Sequence, residues 1–163
     1  MKIFTLGYQG LNLQQYITLL EAADVAVVVD VRETAWSYKP GFSKSPLREG
    51  LNRAGIDYIH LKSAGNPSKN RKTARTTKEC LSRYRRHLLS NPACLDELCN
   101  LLHSTKRDGR SICLTCFERH PDECHRSILV TELENRLSNL EPIHLTVETG
   151  DRQLVLDTTI QQS

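Results

Sequence analysis

Residues 25–31, VAVVVDV, restrict the fold more than any other part of the sequence. Aspartate is the only polar residue in this run, and polar and apolar residues do not alternate along it. An uninterrupted aliphatic run is typical of a strand that is buried on both faces, as in a parallel sheet covered by helices. The run therefore predicts an α/β fold with helices on both sides of a central sheet.

Segments with strand character alternate along the chain with segments whose apolar residues recur at helical spacing. The predicted strands are residues 2–6, 25–31, 56–61, 110–115 and 143–147. The predicted helices are residues 12–23, 45–54, 78–89, 92–103 and 127–137. Because this order implies right-handed crossovers, we expect a three-layer, Rossmann-like domain with a mainly parallel sheet flanked by helices.

Two segments fall outside this alternation. Residues 63–77 are rich in Ser, Asn and Lys and are predicted to form a loop. Residues 149–151, Thr-Gly-Asp, predict a turn into a last, antiparallel edge strand at residues 153–158. We accordingly expect one α/β domain over residues 1–147 and a C-terminal extension, with an edge strand and a tail, over residues 148–163.

Length and composition are those of one packed domain. The chain has 163 residues, of which 39% are hydrophobic. It has no apolar run of about 18 residues of the kind that spans a membrane, and its N-terminus does not have the pattern of a signal peptide. Four of the six cysteines lie in helix or strand patterns where a small apolar residue would serve as well. We therefore expect a cytoplasmic protein in a reducing compartment, with no membrane partner.

The densest group of reactive residues lies in CLTCFERHPDECHRS, residues 113–127. An apolar run ends at Cys116, and Glu118, Cys124, His125 and Arg126 follow within ten residues. The predicted strand before them and the predicted helix after them place these residues in a strand-to-helix turn. In an open α/β sheet, ligands bind at the carboxyl ends of the strands. The turn is therefore the predicted functional site.

Polar residues follow the other predicted strands as well. Asp30 and Arg32 end the aliphatic strand, where a buried carboxylate is costly unless it is paired, and either Arg32 or Arg126 is a suitable partner. Residues 36–44 mix aromatic rings with cations, as in surfaces that stack bases and contact phosphates, although a lid packed by its aromatic rings explains them equally well. The predicted ligand-binding residues at these positions are Gly7, Tyr8, Lys44, Gly65 and Asn66.

The residue types in the turn allow a catalytic interpretation, which we favour. Cys116 would be the nucleophile or a thiolate contact, and Glu118 and His125 would transfer protons. Arg126 and Arg32 would hold an anionic substrate, and we count Asp30 among the catalytic residues. We also expect Arg126 and the start of the helix to lower the pKa of the Cys116 thiol.

A second interpretation is a zinc site formed by Cys116, Cys124 and His125, with His120 as a further candidate ligand. Against it, adjacent ligands such as Cys124 and His125 point apart on most backbones, and two complete Cys-x-x-Cys pairs are missing. No other cofactor is predicted.

A third interpretation is purely structural. In it, Cys124 is a core thiol, Glu118 caps the following helix and Arg126 pairs with Asp30. This explanation is the better one for any single residue of the turn, but it weakens for all of them together.

Several of these segments resemble one known family, catalogued as domain of unknown function 488. The matching segments are TLGY, DVRETAWSYKPGFSKSPL, GIDYIHLKSAGNP and TCFERHPDECHR. The family's Cys-x-Glu and Cys-His-Arg pattern falls on Cys116, Glu118 and residues 124–126, and its Asp-x-Arg falls on Asp30 and Arg32. The resemblance implies a shared site and no particular reaction.

A fainter similarity is to rhodanese-type sulfurtransferases and cysteine phosphatases. They also place a cysteine at a strand end before a loop and a helix, where backbone N–H groups and an arginine hold an anion. Here the loop is longer than the phosphatase loop and lacks its glycines, and three acidic residues would repel an anion. The similarity is one of layout.

The formal charge of +3 is concentrated in residues 62–86, where nine cations accompany a single glutamate. Such a segment attracts phosphates, although it also fits a solvated loop and an exposed helix face. We therefore expect an enzyme that acts on a phosphate-bearing partner, either a nucleotide or a nucleic acid. The alternatives are a nucleic-acid-binding or adaptor module that uses residues 62–86, and a rhodanese-like protein of thiol or sulfur transfer. The oligomeric state stays open.

Overall fold

The computed structural model of the chain describes residues 1–148 and 155–159. Five parallel strands form the sheet: β1 (Lys2–Gly7), β2 (Val27–Asp30), β3 (Asp57–His60), β4 (Ile112–Cys116) and β5 (Glu141–Glu148). Their spatial order is β3-β2-β4-β1-β5, and every pair in it is parallel. A further strand, β6 (Val155–Thr159), pairs antiparallel with β5. The turn predicted at residues 149–151 lies outside the described residues.

Helices cover both faces of the sheet. They are α1 (Leu13–Ala22), α2 (Lys44–Arg53), α3 (Ser68–Thr73), α4 (Thr77–Ser90), α5 (Ala93–Arg107) and α6 (His125–Glu134). The buried apolar residues of α1 and α2 belong to one hydrophobic core, and those of α4, α5 and α6 belong to a second core on the opposite face. The predicted three-layer α/β fold is thus confirmed. No helix among the described residues is both long and apolar enough to cross a membrane.

Strand β2 confirms the interpretation of the aliphatic run. All four of its residues are buried, and successive side chains contribute to opposite cores, because Val27 and Val29 pack on one face of the sheet while Val28 packs on the other. The strand lies between β3 and β4 in the interior of the sheet. Aliphatic side chains are therefore needed at all three valines, on both faces of the strand, which explains the absence of alternation.

The loop predicted for residues 63–77 is wrong. The segment contains a 3₁₀ turn (Lys62–Ala64), helix α3 and the first residue of α4. Helix α3 has no buried residue, so it leaves no apolar periodicity in the sequence. The start of α3 is stabilised instead by the Glu33 carboxylate, which accepts a hydrogen bond of 2.8 Å from the otherwise unpaired backbone N–H of Ser68.

The topology gathers the strand ends beside the predicted site. Strand β4 ends at Cys116, between the ends of β1 and β2, and Gly7 and Asp30 align with Cys116 and Thr115 in the register of the sheet. The chain then turns back through a 3₁₀ turn (Pro121–Glu123) into α6. The start of α6 consequently lies over the carboxyl end of the strand that precedes it.

Candidate functional site

Cys116, Cys124 and His125 form one buried cluster. The Nδ1 atom of His125 lies 3.7 Å from the Sγ atom of Cys116 and 3.8 Å from that of Cys124. The two sulfur atoms and this nitrogen all lie within 4.8 Å of one another. Because β4 ends on Cys116 and α6 starts at His125, the turn between them brings together groups that are eight and nine positions apart in sequence.

The neighbours Cys124 and His125 do not point apart. Cys124 is the N-cap of α6 and has an extended backbone, with φ −124° and ψ 143°, whereas His125 is the first helical residue. The change of backbone conformation between the two residues turns both side chains towards Cys116. The sequence-based argument against a shared site for adjacent residues is therefore wrong here.

The His125 ring is held at its other nitrogen. Nε2 lies 2.7 Å from the carbonyl oxygen of Val31, and since a carbonyl only accepts hydrogen bonds, Nε2 carries the proton. The Tyr84 ring packs against the imidazole edge-on, with 4.9 Å between the centroids. Nδ1 therefore faces the two sulfur atoms in a fixed orientation.

Glu118 lies at the mouth of the cluster. The Cys116 thiol lies 3.4 Å from the Oε2 atom of Glu118. Burial and the nearby Cys124 raise the pKa of the Glu118 carboxyl. The alternative in which Glu118 caps the helix is wrong. Cys124 occupies the N-cap position of α6 with no side-chain capping hydrogen bond, and the partner of the Glu118 carboxylate is the Cys116 thiol.

The two thiols of the cluster differ in acidity. The hydrogen bond with Cys124, together with burial, raises the pKa of the Cys116 thiol. Burial opposes ionisation at Cys124 too, but the Cys116 thiol and His125 hold the pKa of Cys124 well below its usual value. The expected lowering at Cys116 is therefore wrong, and the more acidic thiol is the deeper one.

Arg126 holds the turn together. Its side chain is fully buried, and it donates hydrogen bonds to the backbone carbonyl oxygens of Glu118 at 2.6 Å and Arg119 at 3.0 Å. Its Nε also donates to the hydroxyl of Thr5, at 3.3 Å. All three of these acceptors are uncharged groups of the protein. A contact between Arg126 and a substrate anion stays a prediction.

Asp30 and Arg32 form a second buried node beside the cluster. The Asp30 carboxylate accepts hydrogen bonds from Arg32 Nε at 2.8 Å, from Arg32 Nη2 at 2.6 Å and from the Tyr58 hydroxyl at 2.6 Å. Arg32 also donates to the hydroxyl of Tyr8, at 3.0 Å. The partner of Asp30 is therefore Arg32, and the pair expected between Arg126 and Asp30 is wrong.

The predicted ligand-binding residues divide into two groups. Tyr8 and Asn66 line a cleft above the cluster. Gly7 and Gly65 instead allow close approach of the backbone, since a Cβ atom on Gly7 would lie 1.7 Å from the carbonyl oxygen of Glu118 and one on Gly65 would lie 2.3 Å from the Cα of Glu33. Lys44 begins α2 with an exposed side chain outside the cleft. His120 is also exposed and lies outside the cluster.

The cleft has a volume of about 850 Å³, and Cys116, Glu118 and His125 form part of its floor. Its walls combine aromatic rings and cations, namely Tyr8, Trp36, Tyr38, Lys39, Arg71 and Arg75. Cys124 is 1% exposed and lies behind the floor. The cleft thus joins the turn to the two segments, 36–44 and 62–86, in which the sequence predicts phosphate contacts.

Sequence reasoning missed Phe117, Tyr58 and Tyr84. Phe117 is 43% exposed and lines the cleft, and its position inside the reactive motif is a signal that points to it. Tyr58 and Tyr84 carry no such signal, because each lies in an ordinary strand or helix pattern and reaches the site only through the packing of the fold.

Comparison with known proteins gives one match. No curated protein and no solved structure matches the chain. A family model does match, over residues 12–133, which is most of the chain and includes Asp30, Arg32 and the whole turn from Cys116 to Arg126. The chain belongs to the family described as "Domain of unknown function DUF488".

Proposed function

We propose that the protein is an enzyme that acts on a phosphate-bearing ligand, a nucleotide or a nucleic acid, bound in the cleft. The observation that carries the proposal is the composition of the cleft, in which aromatic rings and cations stand over a floor of thiol, carboxylate and imidazole groups. Ligand pockets typically have volumes of about 300–1,000 Å³ and place a few polar groups among apolar ones. A cleft of about 850 Å³ is large enough for a nucleotide.

The aromatic rings of the cleft favour a ligand with a flat base. The side chain of Trp36 is 56% exposed and that of Tyr38 is 92% exposed, and their rings meet edge-on with 4.3 Å between centroids. Exposed aromatic faces are costly in water and stack well on nucleobases, each stacking contact contributing about 1–3 kcal/mol. Phe117 adds a third exposed ring nearer to the floor.

The cations of the cleft favour a phosphate group. Arg71 forms an ion pair of 3.3 Å with Glu33, whereas neither Lys39 nor Arg75 forms an ion pair with a residue that the structure describes. A phosphate would supply the missing partner for Lys39 and Arg75 through charge-assisted hydrogen bonds. We assign the reacting groups to Cys116, Glu118 and His125, which face the same space, and positioning roles to Arg32 and Arg126.

Ligand binding can be measured directly, because Trp36 is the single tryptophan of the chain and lines the cleft. We expect a nucleoside diphosphate to quench its fluorescence with saturation, and inorganic phosphate to bind more weakly. Charge-assisted hydrogen bonds contribute about 1.5–3 kcal/mol each, so a Lys39→Gln, Arg75→Gln double variant should bind at least about tenfold more weakly. Arg107→Gln, which removes an exposed cation at the end of α5, is the matched control and should bind normally.

Turnover is tested on the same proteins. Nucleoside mono-, di- and triphosphates and a short single-stranded oligonucleotide are incubated with the protein and then separated by chromatography. Cys116→Ser and Glu118→Gln should keep the fluorescence response and lose turnover. Absence of saturable quenching by every one of these compounds would overturn the proposal, and so would undiminished turnover in both variants.

A second candidate is a nucleic-acid-binding module, and the surface of α3 is the observation that favours it. Lys69, Arg71 and Lys72 are all exposed on this short helix beside the cleft. In this case, oligonucleotide affinity should fall steeply with salt and on neutralising these three residues, yet be indifferent to Cys116→Ser. An enzyme should show the reverse dependence.

A further inference from the structure

We propose that Cys116, Cys124 and His125 bind one divalent metal ion, zinc by the chemistry of the ligands, at the floor of the cleft. The inference rests on the proposed function only in assigning the ion to that cleft. Thiolate and imidazole groups together favour zinc over magnesium or calcium, which prefer oxygen ligands.

The two sulfur–nitrogen distances within the cluster fit tetrahedral coordination. With Zn–S bonds of about 2.3 Å and Zn–N bonds of about 2.0–2.1 Å, tetrahedral angles separate the sulfur and nitrogen ligands by about 3.6 Å. The observed separations from His125 Nδ1 are 3.7 Å to Cys116 Sγ and 3.8 Å to Cys124 Sγ. The two sulfur atoms lie within 4.8 Å of each other, and binding to one tetrahedral ion would bring them to about 3.8 Å apart, an adjustment of about 1 Å at most.

The orientation of His125 is that of a metal ligand. Its Nε2 donates to the carbonyl oxygen of Val31 at 2.7 Å, so in the neutral form that binds a metal the ring directs the Nδ1 lone pair at the two sulfur atoms. Histidines that bind metals typically donate their other ring N–H to a carbonyl or carboxylate group in this way, which sets the tautomer and the ring orientation. The Tyr84 ring, packed against the imidazole, adds a second restraint on its rotation.

The fourth coordination position faces the cleft. Cys116 and His125 both line the cleft, and the Glu118 carboxylate stands beside them with its Oε2 atom 3.4 Å from Cys116 Sγ. Three protein ligands with an open position are typical of catalytic zinc sites, whereas structural zinc sites have four protein ligands. Zinc in this position would polarise a bound water or a ligand oxygen, and Glu118 is placed to accept a proton from that water.

Metal binding is tested first by stoichiometry. The 163-residue chain is purified under a thiol reductant and without chelator, equilibrated with zinc chloride, desalted and measured by elemental mass spectrometry. We expect one zinc per chain in the wild type and in Cys80→Ser, the matched control, because Cys80 also lines the cleft but lies outside the cluster. Cys116→Ser, Cys124→Ser and His125→Gln should each retain less than a tenth of this zinc. Zinc-free wild type after equilibration would overturn the inference, as would full retention in the three variants.

A cobalt titration of the wild type keeps the test independent of how well the variants fold. Cobalt should give thiolate-to-metal charge-transfer absorption and the visible bands of a tetrahedral ion, both saturating at one equivalent. Absorption typical of octahedral, oxygen-bound cobalt would contradict the site.

Trp36 quenching by a nucleoside diphosphate, measured with and without zinc, separates the two proposals. Quenching without metal binding overturns the metal site alone, and metal binding without quenching overturns the nucleotide proposal alone.

Discussion

At the scale of single residues, Arg126 determines the shape of the candidate site without facing the cleft. Its guanidinium is fully buried, and its acceptors are the carbonyl oxygens of Glu118 and Arg119 and the hydroxyl of Thr5. Replacement by methionine keeps most of the volume but leaves two carbonyl groups without this donor. A buried polar group that loses its partner costs about 1–3 kcal/mol.

We therefore expect Arg126→Met to lower the free energy of unfolding by about 2–4 kcal/mol, measured by urea denaturation. Arg136→Met is the control, because Arg136 forms a surface ion pair with Asp96 and such pairs contribute about 1 kcal/mol or less. Equal losses in the two variants would show that the bonds of Arg126 to the turn do not stabilise it.

At the scale of elements, α3 is a wall of the cleft that has no apolar anchor. Glu33 accepts the backbone N–H of Ser68 at 2.8 Å and pairs with Arg71 at 3.3 Å, and no residue of α3 is buried. Segments with few buried contacts open locally at low free energy. The attachment of α3 therefore depends on polar contacts, among them the two made by Glu33 and a hydrogen bond of 2.7 Å from Arg83 to the Thr73 hydroxyl.

Removing that carboxylate should loosen α3 alone. A charge-assisted hydrogen bond contributes about 1.5 kcal/mol, which corresponds to about a tenfold change in an opening equilibrium. In Glu33→Ala we expect the amides of residues 68–73 to exchange with deuterium about tenfold faster, while those of α5 keep their rates. Glu49→Ala, which removes an exposed carboxylate from α2, should leave α3 unchanged. Unaltered exchange of α3 in Glu33→Ala would contradict this account.

At the scale of the whole molecule, stability should depend on pH through His144 of β5. The Thr5 hydroxyl and His144 Nδ1 form a hydrogen bond of 2.7 Å, and Thr5 also accepts a hydrogen bond from Arg126. Burial, and then the charge of Arg126, lower the pKa of His144 from its ordinary value of 6.5. The folded protein therefore holds the neutral imidazole.

The sign of the pH effect follows from this shift. Below pH 6.5 the unfolded chain takes up a proton at His144 before the folded protein does, so stability falls as the pH drops towards the folded pKa, by at most about 1.4 kcal/mol per pH unit. Urea denaturation at pH 7.5 and 5.5 should show a smaller loss of stability in His144→Gln, whose uncharged amide can still form a hydrogen bond with Thr5. Identical losses in both proteins would exclude His144 as the cause.

The sequence alone determined the class of the fold. The aliphatic run of β2, the alternation of strand and helix patterns and the helical spacing before Gly55 depend on local preferences and on burial, which are properties of residues near one another in the chain. Helix α3 escaped this reasoning because its start is satisfied by Glu33, 35 positions earlier. The motif of residues 116–126 was recognisable because its reactive residues are close in sequence.

Only the tertiary structure decided how that motif is arranged. The direction of His125 depends on the Val31 carbonyl, 94 positions away, and the packing of its ring depends on Tyr84. The partner of Asp30 depends on which arginine the folded sheet edge brings within reach, and it is Arg32. Spacing along a chain specifies which groups are available, but hydrogen bonds and coordination require distances within a few tenths of an ångström. Those distances are set by contacts between segments that are remote in sequence, so they arise only when the whole domain packs.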